Sequence, residues 1–118
     1  MAGELVHFEI GASDVERAKA FYGPLLGWSF ESFGGPTEYT MVNAGAAPGG
    51  GIYKSDSPGG NPLTHFAVDD IDASLAQVTE LGGKAGEKKP VPGMGWFAVC
   101  GDADGNTFSL WQGDGSAQ

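Results

Sequence analysis

The chain repeats one pattern twice, and this repeat limits the folds open to it more than any other feature. Val6–Ile10 (VHFEI) matches Thr64–Val68 (THFAV), and each segment is followed by an aspartate and a helical stretch. In both copies the periodicity predicts a strand, an amphipathic helix and three further strands. Because one copy alone cannot cover its own sheet, we expect the halves to pack together or across a dimer.

The boundaries of the two copies follow from the polar and glycine-rich segments between them. The chain has 118 residues, as expected of one domain. Module one is predicted to span about residues 5–54 and module two about residues 63–112. A polar linker over about 55–62 joins them, and residues 113–118 form a predicted tail.

Local signals refine the elements of module one. Ser13 and Glu16 have the spacing of a capping box that opens the first helix, and Gly27 is expected to end it. Gly34–Pro36 predicts the connection between the second and third strands. The glycine-rich segment 45–51 predicts a turn before a short fourth strand near residues 52–54.

In module two, a helix is predicted over about residues 71–81, capped by Asp69 or Asp70. A weak strand is expected near residues 84–88. The last strand is expected over residues 107–111, after a tight turn at Asp104-Gly105.

The charge of the chain argues against anionic partners. It carries 6 Lys and Arg against 15 Asp and Glu, a formal net charge of −9. We therefore expect no nucleic acid and no membrane surface among its partners. Its start lacks the basic and apolar stretches of a secretory signal, so a cytoplasmic location is expected.

The only two histidines, His7 and His65, occupy the same position of the two repeats. Each lies between two core-facing residues, so each is expected on the sheet face opposite the helix. If the two sheets curl around one space, both imidazoles point into it, where they could bind a transition metal. The alternative is a pair of buried, hydrogen-bonded histidines inherited through duplication.

Four segments together resemble the vicinal oxygen chelate superfamily, which includes glyoxalase I, the bleomycin resistance proteins and the extradiol dioxygenases. They are residues 7–22 (HFEIGASDVERAKAFY), 26–28 (LGW), 65–70 (HFAVDD) and 102–106 (DADGN). The resemblance implies an α+β fold in which paired βαβββ modules form a U-shaped, eight-stranded cup. Among its members, the chain is most similar to small glyoxalase-like proteins whose first strand reads HFE.

The resemblance also implies a site. In metal-dependent members, the first and last strands of each module supply four ligands, and His7 and His65 match the two first-strand positions. This implies one divalent ion, such as Zn, Ni, Mn or Fe. Tyr53 and Ser109 stand where the family has carboxylates, and both are neutral and poor ligands for hard divalent ions.

Glu9 lies two residues after His7 on the same strand face. It could complete a two-histidine, one-carboxylate metal site with His65, or act as a general base beside a substrate. Alternatively, it pairs with a polar group of the cavity or reaches solvent.

Four residues are expected to line the ligand cavity: Tyr53, Trp96, Ser109 and Trp111. The alternative for Trp96 and Trp111 is a place in the core or in a dimer contact.

Two functions follow from the resemblance. The chain is either a metal-assisted, glyoxalase-like lyase or isomerase, or a metal-free protein that binds or sequesters a small, antibiotic-type molecule. In both cases we expect a small-molecule ligand and a two-fold homodimer.

Overall fold

The structure is a computed structural model that describes residues 3–33 and 39–118. These ranges contain eight strands and two helices. In chain order they are β1 (Leu5–Ala12), α1 (Val15–Leu26), β2 (Ser29–Phe33), β3 (Tyr39–Asn43), β4 (Gly49–Lys54), β5 (Leu63–Ala67), α2 (Ile71–Glu80), β6 (Lys89–Val91), β7 (Gly95–Gly101) and β8 (Thr107–Gly113). The chain divides into an N-terminal unit, Val6–Leu63, and a C-terminal unit that comprises Thr64–Gln118 with the chain start up to Leu5.

The N-terminal unit has the strand order β2-β3-β4-β1, in which only the β1–β4 pair is parallel. Helix α1 covers one face of this sheet because its apolar stripe packs against alternate strand residues. The buried core there consists of Ala12, Val15, Val42 and Ile52. We call the opposite side of these strands, which carries His7, Glu9, Tyr39 and Tyr53, the helix-free face.

The C-terminal unit repeats the same arrangement, with the strand order β5-β8-β7-β6 and a parallel β5–β8 pair. Helix α2 covers one face, where Ile71, Ala98, Cys100 and Leu110 form the buried core. Each unit is thus one strand, one helix and three strands, as the repeat predicts.

The caps of the two helices differ in part from expectation. Asp14, with extended backbone angles, caps α1 by accepting the backbone N–H of Arg17 at 3.1 Å. The predicted capping box is therefore wrong: Ser13 instead accepts a 2.8 Å hydrogen bond from the guanidinium of Arg17. Gly27 ends α1 in the left-handed conformation, as predicted, and Asp70 caps α2.

In the N-terminal unit, the glycine run before Ile52 differs most from the structure predicted from the sequence. Strand β4 begins at Gly49, so the predicted turn covers only the residues before it. Gly50 and Gly51 are extended because they pair with both β1 and β3. The rings of Phe8 and Tyr39 occupy the space of their absent side chains. The predicted connection at Gly34–Pro36 lies outside the described residues.

In the C-terminal unit, the weak strand predicted over residues 84–88 is reduced to one bridge between Lys84 and Gly101. The chain at Gly86 presses against the backbone of Val99, and regular pairing starts only at Lys89. No helix within residues 3–33 and 39–118 is long and apolar enough to cross a membrane.

Candidate functional site

One tyrosine links the histidine and the glutamate that the sequence singles out in the N-terminal unit. The hydroxyl oxygen of Tyr39 lies 2.7 Å from Nε2 of His7. The same hydroxyl donates a 2.9 Å hydrogen bond to Oε2 of Glu9. The three side chains form one partly buried cluster, which we call the Tyr39 cluster.

Strand register explains how the cluster forms. Because alternate residues of a strand share a face, His7 and Glu9 project from β1 on the same side. Their partners on β4 are Gly49 and Gly51, which have no side chains. Tyr39 comes from β3, on the far side of β4, and its ring stacks at 17° to that of His7, with 6.4 Å between the centroids.

The directions of the hydrogen bonds follow from the chemistry of Tyr39. Burial raises the pKa of the Tyr39 phenol well above its usual range, and the charge of Glu9 and the hydrogen bond to Glu9 raise it further. The phenol is therefore neutral and donates its proton to the Glu9 carboxylate. Its oxygen then accepts a hydrogen bond from His7, so Nε2 of the imidazole carries a proton.

Tyr53 extends the polar surface along the same face. It pairs with Gly11 on β1 and with Tyr39 on β3. A Cβ placed at Gly11 would lie 3.1 Å from the Tyr53 hydroxyl, so this ring also leans over a glycine. The structure thus brings His7, Glu9 and Tyr53 to one face.

A cavity of ≈ 510 Å³ opens in the N-terminal unit between β2, β3 and the segment that leads into β4. It is mostly apolar, with polar groups from Ser29, Glu31 and Asn43. Its full lining is Ser29, Phe30, Glu31, Met41, Val42, Asn43, Ala44, Gly45, Ala46, Ala47 and Gly49. Two of its lining residues are register partners of residues at the Tyr39 cluster: Gly49 pairs with His7, and Met41 pairs with Gly51, over which the Tyr39 hydroxyl lies.

The remaining predicted site residues belong to the C-terminal unit. His65 is buried, lies opposite the fully buried Ser109, and meets the ring of Phe97 edge-on. Trp111 projects from β8 on the same face as Ser109, two residues away.

Trp96 lies on the other face of the C-terminal unit, against the α2-side core. Its indole N–H donates to Asp114 at 3.1 Å, and the ammonium of Lys88 sits 4.4 Å from its ring centroid. The structure does not bring it to the face of His65.

The residues present do not fit the metal ion that the resemblance implies. Within residues 3–33 and 39–118, no group of three or more His, Cys, Asp or Glu side chains could hold a metal. In the N-terminal unit, His7 Nε2 and Glu9 Oε2 both bind the Tyr39 hydroxyl. Tyr53 and Ser109 supply only neutral oxygens, which hard divalent ions disfavour.

Tyr39 is the site residue that the sequence analysis missed. Local patterning gives it no special status, since it is one aromatic residue at the start of a strand. The usable signal is the pair Gly49 and Gly51, which recur with the period of a strand and so leave one face of β4 bare.

Sequence comparison supports the resemblance. Residues 4–45 match the family profile described as bleomycin resistance protein-like N-terminal. A glyoxylase-like domain-containing protein of Didymella fabae is 31% identical over 120 residues, which covers 92% of each chain. CFP32 of Mycobacterium tuberculosis, which its name assigns provisionally to the glyoxylases, is 34% identical over 113 residues. That match covers 92% of this chain but only 43% of CFP32, so the chain spans less than half the length of this relative.

Solved structures confirm the fold class predicted from the sequence. A glyoxalase/bleomycin resistance protein/dioxygenase superfamily member from Vibrio splendidus superposes with a TM-score of 0.69 at 18% identity, covering 95% of this chain and 99% of that one. Methylmalonyl-CoA epimerase from Mycobacterium tuberculosis gives a TM-score of 0.69 at 17% identity, covering 95% and 88%. With the fold, the repeat and the full-length relative in agreement, the chain belongs to the glyoxalase/bleomycin resistance/dioxygenase superfamily, also called the vicinal oxygen chelate superfamily.

Proposed function

We propose that this protein binds a small oxygen-containing molecule on the helix-free face of its N-terminal unit, through the Tyr39 cluster and without a metal ion. The observation that carries the proposal is the Tyr39 hydroxyl, held 2.7 Å from His7 Nε2 and 2.9 Å from Glu9 Oε2. A donor–acceptor chain that is already ordered costs little further entropy when a ligand binds to it.

The surroundings of the cluster suit such a ligand. The adjoining cavity of ≈ 510 Å³ falls within the size range of small-molecule sites and is mostly apolar, with few polar groups. The side chain of Met41 offers a polarizable surface within the cavity lining. A ligand would thus place its apolar body in the cavity and its oxygen atoms against the cluster.

A second candidate function is proton transfer by Glu9. Its carboxylate already accepts a hydrogen bond from the Tyr39 hydroxyl. A ligand hydroxyl, or an acidic C–H next to a carbonyl, could take the place of that hydroxyl. The names of two relatives, a glyoxylase-like protein and an epimerase, make isomerase or lyase chemistry the natural form of this reaction. Glu9 would take the proton from a carbon next to a carbonyl, so that the electron pair of the C–H bond passes into an enolate, and would then return that proton to a carbon of the enolate to form the product.

Two probes distinguish these functions. Bleomycin tests binding alone, and the hemithioacetal of methylglyoxal with a thiol tests turnover. Calorimetry should show that at least one of them binds, and that Tyr39→Phe weakens binding about tenfold, the effect of one lost hydrogen bond of about 1.4 kcal/mol. If Glu9 transfers protons, Glu9→Gln abolishes turnover but retains binding. If wild type binds neither probe, or Tyr39→Phe binds both unchanged, the proposal is wrong.

Elemental analysis tests whether the protein needs a metal ion to bind its ligand. Protein purified without chelators or a histidine tag should contain much less than one Zn, Ni, Mn or Fe per chain and still bind its ligand. A stoichiometric metal that disappears in His7→Ala would overturn the metal-free proposal. The predicted ligand contacts of Ser109 and Trp111, the predicted metal-binding role of His65, and the cytoplasmic location stay predictions.

We also propose that the protein forms a homodimer. Phe21 and Leu25, one helical turn apart on α1, and the adjacent Leu26 are 61%, 63% and 51% exposed. Light scattering should give the mass of two chains for wild type and of one chain for Phe21→Ser/Leu25→Ser. A single-chain mass for wild type at every concentration would refute this.

A further inference from the structure

Tyr39 must cross a whole strand to complete the site. It belongs to β3, His7 and Glu9 belong to β1, and β4 pairs with both of these strands. Neighbouring strands lie about 4.8 Å apart, so β3 and β1 are separated by about 10 Å. The tyrosine ring therefore lies over β4, and any side chain that β4 presents at the crossing point would stand in its way.

The residue at the crossing point is Gly51, which is buried and is the register partner of both Glu9 and Met41. A Cβ placed there would overlap with the Tyr39 hydroxyl oxygen and the ring carbon that bears it, and would lie 2.6 Å from Cε2. All three nearest atoms belong to the Tyr39 side chain, so the closest obstacle to a side chain at position 51 is this ring.

Neighbouring glycines of β4 do not share this role. A Cβ at Gly49 would meet only the carbonyl oxygen of Val42, at 3.1 Å. A Cβ at Gly50 would meet the ring of Phe8 at 2.5 Å, on the core side of the sheet. Gly51 alone stands beneath the hydroxyl of the Tyr39 cluster.

We infer that Gly51 is a positioning residue of the site: its missing side chain lets the Tyr39 ring lie across β4 and place its hydroxyl between His7 and Glu9. The inference deepens the proposed function and rests on it, since it assigns a role toward the same cluster. It predicts that even a methyl group at position 51 displaces the ring and breaks both hydrogen bonds.

The test compares Gly51→Ala with Gly101→Ala by alkaline absorbance titration of the tyrosines. Gly101 is a matched control because it is also a strand glycine, and a Cβ there would make only an ordinary contact, 3.8 Å from Cβ of Lys84. Tyr39→Phe identifies the contribution of Tyr39 to the titration curve. In Gly51→Ala, one additional tyrosine per chain should ionise near the ordinary pKa of about 10, whereas Gly101→Ala should follow the wild-type curve.

A double variant keeps the inference testable if Gly51→Ala does not fold. Tyr39→Ala/Gly51→Ala removes the ring that the new methyl group would strike, so it should fold as well as Tyr39→Ala does. A wild-type titration curve for Gly51→Ala, or a double variant that fails to fold when Tyr39→Ala folds, would overturn the inference. Because no ligand enters these measurements, a failure of wild type to bind bleomycin or the hemithioacetal counts against the proposed function alone.

Discussion

The hydroxyl of Tyr39 donates a 2.9 Å hydrogen bond to Oε2 of Glu9, although the two residues lie on strands that do not pair with each other. The bond spans 30 positions of the sequence. Since it forms only when β1 and β3 both pair with β4, it reports whether the N-terminal sheet is correctly assembled. It also sets the proton arrangement of the cluster, because it directs the hydrogen of His7 Nε2 toward the phenol oxygen.

Replacing Tyr39 by phenylalanine should destabilise the protein. The change removes the hydrogen bonds to His7 and Glu9 but retains the ring over Gly51. We expect the free energy of unfolding to fall by about 1–3 kcal/mol, since one of the two bonds involves a charged acceptor. Urea denaturation at neutral pH measures the difference. Tyr22→Phe, on the α1-side core, is the control, and equal stability of Tyr39→Phe and wild type would contradict the bridging role.

The raised pKa of Tyr39 predicts a loss of stability in alkali. The folded protein retains a proton that the unfolded chain releases above the ordinary tyrosine pKa of about 10. The contribution of the neutral Tyr39 phenol to the free energy of unfolding is therefore complete below pH 10. It declines as pH rises toward the folded-state pKa, by at most about 1.4 kcal/mol per pH unit. Denaturation between about pH 9 and 11 should show this added slope in wild type and not in Tyr39→Phe. Parallel curves for the two proteins would contradict it.

Replacing Thr40 by valine should stabilise the protein. Thr40 is 1% exposed, and its Oγ1 makes no hydrogen bond within residues 3–33 and 39–118. Valine has nearly the same shape and no hydroxyl to desolvate, so we expect a gain of about 1 kcal/mol. Thermal denaturation measures the gain. Thr40→Ser, which retains the hydroxyl and loses the methyl group, is the control and should be less stable than wild type. A Thr40→Val protein that is also less stable than wild type would show that the Thr40 hydroxyl has a hydrogen-bond partner.

Replacing Asp102 by alanine should weaken the turn before β8. The Asp102 carboxylate accepts the backbone N–H groups of Asp104 and Asn106 and the side-chain amide of Asn106, at 2.9–3.0 Å. The hydrogen bond from the Asn106 side chain is the main cause that lowers the pKa of Asp102. The stabilising effect of the ionised Asp102 carboxylate is therefore present above the ordinary aspartate pKa of about 3.9 and is lost as pH falls below that value.

Thermal denaturation of Asp102→Ala and wild type at pH 7 and pH 3 tests whether Asp102 stabilises the protein only when its carboxylate is ionised. The melting temperature of the variant should be lower at pH 7, and the difference should narrow at pH 3. Asp104→Ala is the control, because Asp104 enters these contacts through its backbone N–H. A difference that is the same at both pH values would contradict the role of the ionised carboxylate.

Much of the architecture was predictable from local patterns. Residue spacing predicts the two copies of the repeat and the helix in each of them, because these features depend on neighbours within a few positions. It also predicts the caps at Asp70 and Gly27 and the shared face of His7 and Glu9. The resemblance to the superfamily rests on the same local motifs.

Local patterns failed where distant segments determine the outcome. Gly49–Gly51 resembles a turn by composition, yet it forms a strand, because it pairs with β1 and β3, which are distant in sequence. The rings of Phe8 and Tyr39 pack over the bare backbone of Gly50 and Gly51 from two sides. The Ser13 capping box likewise has the right spacing, but Asp14 occupies the capping position.

The residue order alone determined that each half is a strand, a helix and three strands, and that an imidazole and a carboxylate share one face of the first strand. Only the tertiary structure decided that a phenol from β3 joins them through its hydroxyl. The reason is physical: side-chain alternation is a property of a single strand, whereas the contact of Tyr39 with His7 and Glu9 requires a third strand, in one register, with a glycine beneath the ring.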